Sequence, residues 1–232
     1  MSQRVNDVPL VVVSGPDGAG KTTLVKSLHG RLTELGVKTA VASLWDLSSV
    51  SDLPRMFADR DEAQRYLSRV GARSRLHFLL HHLCGALERA CAQPGVELLL
   101  FDTYWYKYLA AEVCHGAELE ALIPAVLGLP TPIAILNLDP PSGITARRKA
   151  HFSRYESGMG VATEETFIAF QTRLRTTLRS LVNEQPCRQV ELDATEPAGR
   201  VLEHALACLK REVAPFGEGA PAFAETPLSF LL

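Results

Sequence analysis

GPDGAGKTT, residues 15–23, lies between an apolar run at residues 9–13 and a segment that has the periodicity of a helix. Glycines at this spacing let the backbone wind tightly with its N–H groups pointing inward, and the following helix adds its positive N-terminal end. Strand, loop and helix in this order predict a loop that binds the phosphates of a nucleotide. The residues expected around those phosphates are Gly15, Asp17, Gly18, Ala19, Gly20, Lys21, Thr22 and Thr23.

Two side chains of this loop carry chemistry. Lys21 is expected to reach the β- and γ-phosphates of the bound nucleotide, and Thr22 can place its hydroxyl on Mg²⁺. A glycine-rich turn without a ligand is the alternative, but it does not account for the coincidence of strand, spacing, lysine, threonine and helix. The sequence therefore predicts a protein that binds a nucleoside triphosphate together with Mg²⁺.

Composition limits the possible classes of protein. The chain has 232 residues, 47% of them hydrophobic and 22% charged, which suits one α/β domain with an ordinary surface. A net charge of −2 gives no broad basic field, so long nucleic acid is not expected as a partner. The five cysteines include no CxxC pair and predict reduced, mostly buried thiols. No segment approaches the ~18 apolar residues of a membrane span, and we expect a cytoplasmic protein.

Apolar runs alternate with helical periodicity along the chain, which is the pattern of a parallel sheet covered on both faces. This predicts a three-layer α/β/α fold with a five-stranded parallel sheet. The strands are expected at about residues 9–14, 38–44, 97–101, 131–138 and 188–192. The helices are expected at about residues 21–35, 60–91 with a possible break near Gly71, 105–127, 164–183 and 197–211. We predict one domain over residues 1–212, with a lid at about 140–160, and an irregular tail at 213–232.

A carboxylate follows the third predicted strand, at Asp102, after four apolar residues. Ligands of open α/β sheets sit at the carboxyl edge of the strands, so Asp102 is expected beside the phosphate loop. There it can hold Mg²⁺ or its water shell together with Thr22. The alternative is an aspartate that caps the next helix. Asp17, inside the loop, either orients an arginine on the acceptor side or serves as a turn residue.

Potential cations are concentrated after the fourth predicted strand, at Arg147, Arg148, Lys149, His151 and Arg154. A glycine-bearing stretch follows them, and phosphoryl transfer needs positive charge over the γ-phosphate only when the site closes. The functional interpretation is a lid that brings a catalytic arginine over the donor. The alternative is a solvated basic face of a helix.

At this level of detail the chain resembles the thymidylate kinase family, which belongs to the nucleoside monophosphate kinases. The resemblance covers about residues 8–210 and rests on an ordered series of segments. They are the loop at 15–23, Ala-Arg-Ser-Arg at 72–75, Asp-Thr-Tyr at 102–104, residues 139–147, and Arg-Tyr-Glu at 154–156. The resemblance implies Mg²⁺-dependent transfer of the ATP γ-phosphoryl group to a nucleoside monophosphate, most simply dTMP. It also implies a homodimer, for which the apolar face at residues 76–87 is a candidate.

Roles for several arginines follow from the resemblance. Arg75, or Arg73 if the register differs, corresponds to the arginine that contacts the monophosphate acceptor and its base. Arg147 corresponds to the residue that packs on the donor adenine. Members of the family take their catalytic arginine from the loop or from the lid. Because Gly18 stands where the first type has arginine, Arg154 in the lid is expected to be catalytic, alongside Lys21 and Asp102.

The chain also departs from the family on the acceptor side. The family pattern after the third strand is Asp-Arg-aromatic, and here Thr103 replaces the arginine. Lys107, one helical turn further on, can share a face with position 103 and is a candidate substitute. Tyr104 and Asp46 are expected to shape the acceptor site, with Asp46 accepting from a sugar hydroxyl. Glu112 stands where the family often has glutamine.

Three functions stay open at the level of sequence. The first is a kinase that phosphorylates dTMP. The second is a kinase of the same fold that acts on another nucleotide, a nucleoside or a small metabolite, which the loss of arginine at position 103 motivates. The third is a nucleotide-binding protein without phosphoryl transfer.

Overall fold

Five parallel strands form one sheet in the part of the chain that the structure describes. The structure is a computed structural model, and it describes residues 8–45, 57 and 60–212. The strands are β1 Leu10–Ser14, β2 Thr39–Ser43, β3 Leu98–Asp102, β4 Ala134–Leu138 and β5 Arg188–Leu192. Their order across the sheet is β2-β3-β1-β4-β5, with every neighbouring pair parallel. This arrangement confirms the predicted α/β fold and its five-stranded parallel sheet.

Helices cover both faces of this sheet. They are α1 Lys21–Glu34, α2 Arg60–Leu67, α3 Ala72–Cys91, α4 Trp105–Cys114, α5 Leu119–Leu122, α6 Ser142–Arg147, α7 Glu164–Asn183 and α8 Ala198–Glu212. The buried apolar side chains fall into two groups, one on each face. Helices α1 and α8 contribute to one group, whereas α3, α4 and α7 contribute to the other.

Strand β1 shows why both layers are needed. Leu10 and Val12 belong to the core beside α3, α4 and α7, while Val11 and Val13 belong to the core beside α1 and α8. All five residues of the strand are buried. A continuous apolar run is typical of a parallel strand that is covered on both faces.

The predicted helical region at residues 60–91 is interrupted near Gly71, as its sequence indicates. Helix α2 ends at Leu67 and α3 begins at Ala72. The apolar face of α3 contributes to the core through Leu76 and Leu83, which are fully buried. This face is therefore occupied within the chain, and dimerisation stays a prediction of the resemblance.

The region predicted as helical at residues 105–127 differs from the structure. Helix α4 already ends at Cys114, and Gly116 follows with a φ of +94°. A glycine in this left-handed conformation is a common end of a helix. Beyond it, the short helix α5 and a 3-10 turn at Ile123–Ala125 replace a continuous helix.

The segment predicted as a lid is attached to α7 at both of its ends. Helix α6 packs against α7, and a 3-10 turn at Tyr155–Ser157 does the same. Asp139, just before α6, forms ion pairs with Arg175 and Arg179 of α7. The residues between α6 and the 3-10 turn are held as well, because the ring of Phe152 stacks on that of Phe167 in α7 with 4.7 Å between the ring centroids.

The tail predicted at residues 213–232 lies outside the described residues. The division into one domain with a lid stays a prediction. None of the helices within residues 8–45 and 60–212 combines the length and the hydropathy that a bilayer crossing requires. All five cysteines are free thiols; Cys91 is buried and the other four are half-buried, so they are less buried than the sequence suggested.

Candidate active site

The carboxyl ends of β1 and β3 lie side by side, because the two strands are neighbours in the sheet. Val13 of β1 pairs in register with Asp102 at the end of β3. The phosphate loop leaves β1 directly after this position and returns into α1 at Lys21. The topology thus brings the loop and the carboxylate together at one edge, where ligands of parallel sheets bind.

Two glycines of the loop are required by close contacts. A Cβ at Gly15 would lie 2.2 Å from the carbonyl oxygen of Leu138, at the end of β4, and the residue has a φ of +143°. A Cβ at Gly18 would lie 2.8 Å from the carbonyl oxygen of Thr145 in α6, at a φ of +81°. Position 18 therefore has no room for an arginine while α6 holds its place. This contact gives a physical reason to look for the catalytic cation outside the loop.

Lys21, Thr22 and Asp102 form the polar centre of the loop. The Lys21 ammonium donates to the carbonyl of Pro16 at 2.7 Å, so the side chain curls back over the loop. The Thr22 hydroxyl donates to Asp102 Oδ2 at 2.5 Å. Hydroxyl and carboxylate oxygens are the ligands that Mg²⁺ prefers, and these two already lie in contact. The two residues predicted to share the metal thus fit such an ion.

Thr103, which replaces the family arginine, has an unusual backbone conformation. Its φ of +72° lies in the left-handed region, which costs a β-branched residue on the order of 1–3 kcal/mol. The backbone N–H donates to the carbonyl of Val13 at 3.1 Å, and the hydroxyl donates to Asp102 Oδ1 at 3.1 Å. Both carboxylate oxygens of Asp102 therefore accept hydrogen bonds from hydroxyl groups.

Lys107 of α4 and Asp17 of the loop form a buried ion pair. The Lys107 ammonium lies 2.5 Å from Asp17 Oδ1, and each side chain is 10% exposed. Burial raises the pKa of the Asp17 carboxyl, but the positive charges of Lys107 and Lys21 outweigh it and hold the pKa well below its usual range. Asp17 is consequently ionised at neutral pH. The structure thus brings the predicted substitute cation into contact with the loop.

Gln171 of α7 contacts the same loop residue, and the sequence did not single it out. Its amide oxygen accepts from the backbone N–H of Asp17 at 3.0 Å, and its amide nitrogen donates to Asp17 Oδ2 at 3.3 Å. The same nitrogen donates to the carbonyl of Glu156 in the lid at 3.0 Å. The available signal is that Gln171 lies on the buried face of α7 together with Phe167, Phe170 and Leu174. A glutamine in such an apolar stripe needs polar partners.

A cavity of about 390 Å³ opens at this edge of the sheet. It connects the phosphate loop with α2, α3, α4 and the lid. The described residues that line it are Asp17, Gly18, Gly20, Lys21, Thr22, Thr23, Ser43, Trp45, Gln64, Leu67, Leu79, Asp102, Thr103, Lys107, Tyr108, Arg148, Lys149, Tyr155 and Glu156. We call it the main cavity. Its walls combine anion-binding groups on the loop side with aromatic and apolar groups on the far side.

A second cavity of about 240 Å³ adjoins the loop on the side of β5 and α8. Arg148 lines both this second cavity and the main cavity. Its guanidinium donates to the carbonyl of Ala194 at 2.7 Å and to that of Ala19 at 3.3 Å. Arg147, which the resemblance assigned to the donor base, is exposed at the end of α6. The arginine that lies between the two cavities is therefore Arg148, one position after the residue that the resemblance indicated.

The other lid cations differ in their location. Lys149 lines the main cavity, and its ammonium donates to Glu156 Oε1 at 3.0 Å. Arg154 instead lines a third cavity, which it shares with residues of α2 such as Arg65. Its guanidinium donates to the carbonyl of Met159 at 2.8 and 3.2 Å. In this conformation the structure brings Lys149, and not Arg154, to the loop.

Arg75 is buried and fully engaged within the protein. Its Nε and Nη2 donate to Glu112 at 2.7–2.9 Å, and its Nη1 donates to the carbonyls of Leu67 and Val70. Burial raises the pKa of Glu112, although the hydrogen bonds from Arg75 and Tyr155 oppose this effect. The arginine predicted for the acceptor is thus paired with the carboxylate that replaces the family glutamine.

Three further acceptor-side residues lie apart from the main cavity or beyond the description. Arg73 is exposed on α3. Tyr104 is buried, and its hydroxyl donates to the carbonyl of Pro130 at 2.8 Å, which places it in the core. Asp46 lies outside the described residues. Of the predicted acceptor residues, Asp17 and Lys107 are those that meet at the main cavity.

Comparison with curated proteins gives a consistent set of relatives, while no protein-family model matches the chain. A thymidylate kinase from Xylella fastidiosa (strain 9a5c) is 30% identical over 204 residues, which cover 85% of this chain and 88% of the relative. A thymidylate kinase from Xanthomonas oryzae pv. oryzae (strain PXO99A) is 27% identical over 224 residues, covering 92% and 88%. A third, from Xanthomonas campestris pv. campestris (strain B100), is 28% identical over 145 residues, or 60% of each chain.

Proposed function

Because this chain belongs to the thymidylate kinase family, we propose that it transfers the γ-phosphoryl group of ATP to dTMP. A phosphate oxygen of dTMP forms the new P–O bond, the bond between the β-phosphate oxygen and the γ-phosphorus breaks, and ADP and dTDP leave. The observation that carries the proposal is the main cavity, in which the phosphate loop faces a second cation, Lys107. A donor site alone does not need that second charge.

The donor is proposed to bind along the loop at Gly15–Thr23 by its phosphates and in the second cavity by its base. Lys21 and the N-terminal end of α1 are proposed to supply positive potential for the β- and γ-phosphates. Arg148 is proposed for the role that the resemblance gave to Arg147, since its guanidinium stands between the two cavities. Both arginines lie at the end of α6, so the assignment differs by one residue.

Thr22 and Asp102 would hold Mg²⁺, because their oxygens already meet at the loop. When bound there, the ion supplies positive charge that offsets the negative charge of the phosphates. Thr103 supports this arrangement by donating its hydroxyl to the other oxygen of the Asp102 carboxylate. Asp102 is thereby oriented from two sides.

Lys107 is proposed to take over the work of the arginine that the family has at position 103. Its ammonium lines the main cavity and is buried against Asp17, so it can attract the phosphate of the acceptor without leaving its place on α4. Asp17 holds the ammonium in a defined direction when the acceptor is absent.

Positive charge over the transferring group is proposed to come from the lid. Lys149 already lines the main cavity, whereas Arg154 lines the third cavity and must change its conformation to reach the loop. A cation that arrives upon closure stabilises the charge that develops in the transition state. Arg154 therefore stays the arginine candidate for the closed state, and Lys149 is the cation present before closure.

A second candidate function keeps the donor and changes the acceptor. The pairing of Arg75 with Glu112 favours it, because the guanidinium donates to that carboxylate and to two backbone carbonyls and not into the main cavity. An acceptor with another base, a nucleoside or a small phosphorylated metabolite would then bind against Tyr108 and Leu79.

A coupled assay tests both candidates. Purified protein is given ATP, Mg²⁺ and, one at a time, dTMP, dUMP, dCMP, dGMP, AMP, a set of unphosphorylated nucleosides and a set of small phosphorylated metabolites. The proposal predicts that kcat/KM is highest for dTMP. Turnover with another acceptor but not with dTMP supports the second candidate. ATP binding without any turnover contradicts both and indicates a nucleotide-binding protein without transfer.

A further inference from the structure

Gln171 joins the phosphate loop to the lid through one side chain. We propose that Gln171 is a positioning residue that couples the Asp17–Lys107 pair on the acceptor side to Lys149 in the lid. The proposal rests on the proposed function, since it concerns how two halves of the same site move together. It assigns a role to a residue that contributes no atom to the lining of the main cavity.

The first half of the coupling is the contact with Asp17. Gln171 accepts from the backbone N–H of this residue at 3.0 Å and donates to its Oδ2 at 3.3 Å, while Lys107 donates to its Oδ1 at 2.5 Å. Main chain and carboxylate of Asp17 are thus both fixed from α7. One oxygen of the Asp17 carboxylate contacts Gln171 and the other contacts Lys107. A shift of the Lys107 ammonium toward a bound phosphate therefore also alters the contact between Asp17 and Gln171.

The second half is the contact with the lid. The Gln171 amide nitrogen also donates to the carbonyl of Glu156 at 3.0 Å. The carboxylate of Glu156 binds the Lys149 ammonium at 3.0 Å and accepts from the backbone N–H of Ser153 at 3.3 Å. A continuous series of polar contacts therefore runs from Lys107 through Asp17, Gln171 and Glu156 to Lys149.

The surroundings make this series stiff. Gln171 has no exposed surface, and Glu156 is 3% exposed, so neither has water as an alternative partner. Helix α7 is fixed by a capping box at Thr163 and by the Arg175–Asp139 ion pair. A small movement of the loop is consequently passed to the lid instead of being absorbed by the helix.

The two polar ends of Gln171 allow a sharp test. Gln171→Glu keeps an oxygen for the Asp17 N–H but brings a second carboxyl against the Asp17 carboxylate. When protonated, the introduced carboxyl can donate one of the two hydrogen bonds that the amide donates, to Asp17 or to the Glu156 carbonyl; when ionised, it donates neither and repels Asp17. The charged groups around this position are Asp17 in the loop, Lys21 in α1, Lys107 in α4, and Lys149 and Glu156 in the lid.

We expect kcat of Gln171→Glu with ATP and dTMP to fall about 10- to 100-fold near pH 8, with KM for ATP changed less than about threefold. The ratio of its kcat to that of the unmodified protein should recover about tenfold as the pH falls to about 6, because protonation restores the donor. Gln171→Met lacks both polar ends and should lose activity at every pH. Gln185→Met is the matched control, since Gln185 is a buried glutamine just beyond α7 whose side-chain amide nitrogen donates to the Leu181 carbonyl, within the same end of the helix.

Hydrogen exchange gives a readout that does not need turnover. With AMP-PNP bound, amides of residues 150–160 should exchange about tenfold faster in Gln171→Met than in Gln185→Met. If the unmodified protein does not phosphorylate dTMP, the proposed function fails while this measurement still decides the coupling. Equal exchange of the lid in both variants, or a Gln171→Glu activity ratio that is flat with pH, would overturn the proposal.

Discussion

The donor half and the acceptor half of the main cavity are built in different ways. The donor half is centred on one continuous segment, the loop at residues 15–23, in which Lys21 binds the carbonyl of Pro16, five residues earlier. The acceptor half is assembled around Asp17 by Lys107 and Gln171, which are 90 and 154 residues away in the chain. Local geometry fixes the first, whereas tertiary packing fixes the second. We therefore expect substitutions in the donor half to remove activity without unfolding, and those in the acceptor half to affect both.

Lys21→Ala should have the largest effect on the donor half. Removal of its charge is expected to lower kcat/KM about 1,000-fold, because the ammonium faces the phosphates that change charge during transfer. The thermal midpoint should change little. The same assay on Lys26→Ala, an exposed lysine of the same helix, serves as the control. Retention of more than about a tenth of the activity in Lys21→Ala would contradict the assignment of the loop.

Lys107→Met should have the next largest effect, on the acceptor half. We expect kcat/KM for the acceptor to fall about 100-fold, with KM for ATP nearly unchanged, because the cation for the acceptor phosphate is lost. Steady-state kinetics with each substrate varied in turn separates the two parameters.

Thr103→Arg in the Lys107→Met background sharpens this test. It returns the family arginine to its position and should restore about tenfold of the loss if Lys107 does the work of that arginine. No recovery in a folded double variant, together with an intact acceptor KM in Lys107→Met, would show that Lys107 is structural only.

The stability of Lys107→Met should depend on pH in a defined direction. Asp17 has a lowered pKa in the folded protein, so its stabilising contribution is present above the pKa of the unfolded chain and is lost as the pH falls through the folded value. Without Lys107, burial raises the pKa of Asp17 instead, and protonation relieves the buried charge. The difference in unfolding free energy between the two proteins should therefore shrink by about 2 kcal/mol from pH 7 to about pH 4.

Urea unfolding at several pH values measures this difference. Lys107→Met combined with Asp17→Asn lacks the titrating carboxyl and should show no such pH dependence. A constant difference for Lys107→Met over the same range would mean that Asp17 is not the group that Lys107 stabilises.

Arg148→Ala and Arg147→Ala distinguish neighbouring lid residues on the donor side. We expect Arg148→Ala to raise KM for ATP about tenfold, because its guanidinium lies between the two cavities and binds the Ala194 and Ala19 carbonyls. Arg147→Ala should raise KM for ATP less than about twofold, since Arg147 lines neither of the two cavities. A larger rise of KM for ATP in Arg147→Ala than in Arg148→Ala would assign the contact with the donor base to Arg147.

Thr103→Gly should have the smallest effect, and we expect it to stabilise the protein, whereas Lys107→Met destabilises it. Glycine adopts a φ of +72° without strain, which we expect to raise the unfolding free energy by about 1 kcal/mol after the loss of the hydroxyl contact with Asp102. Thermal unfolding measures the gain. A lower midpoint in Thr103→Gly would mean that the hydroxyl contact outweighs the backbone strain.

The contrast between local geometry and tertiary packing also explains which features could be predicted from the sequence. The loop at residues 15–23 and the strands could be predicted because neighbouring residues determine them. Arg148 could not be separated from Arg147, since a run of three basic residues does not reveal where α6 ends. The pairing of Arg75 with Glu112 joins positions 37 apart, and no local pattern encodes it. Gln171 could not be identified from the sequence, because it lies among apolar residues of α7 while its polar partners lie far away in the chain, on the loop and the lid.

The contact between Gly18 and α6 restricts how this site can change over evolutionary time. The carbonyl oxygen of Thr145 lies 2.8 Å from the position that the Cβ of any side chain at residue 18 would take. A chain that acquired arginine there would first have to displace α6, and with it Arg148 and the attached lid. A protein with that single substitution would therefore have neither a properly placed loop cation nor an intact lid. Whether the catalytic cation comes from the loop or from the lid therefore depends on the position of α6 as much as on the residue at position 18.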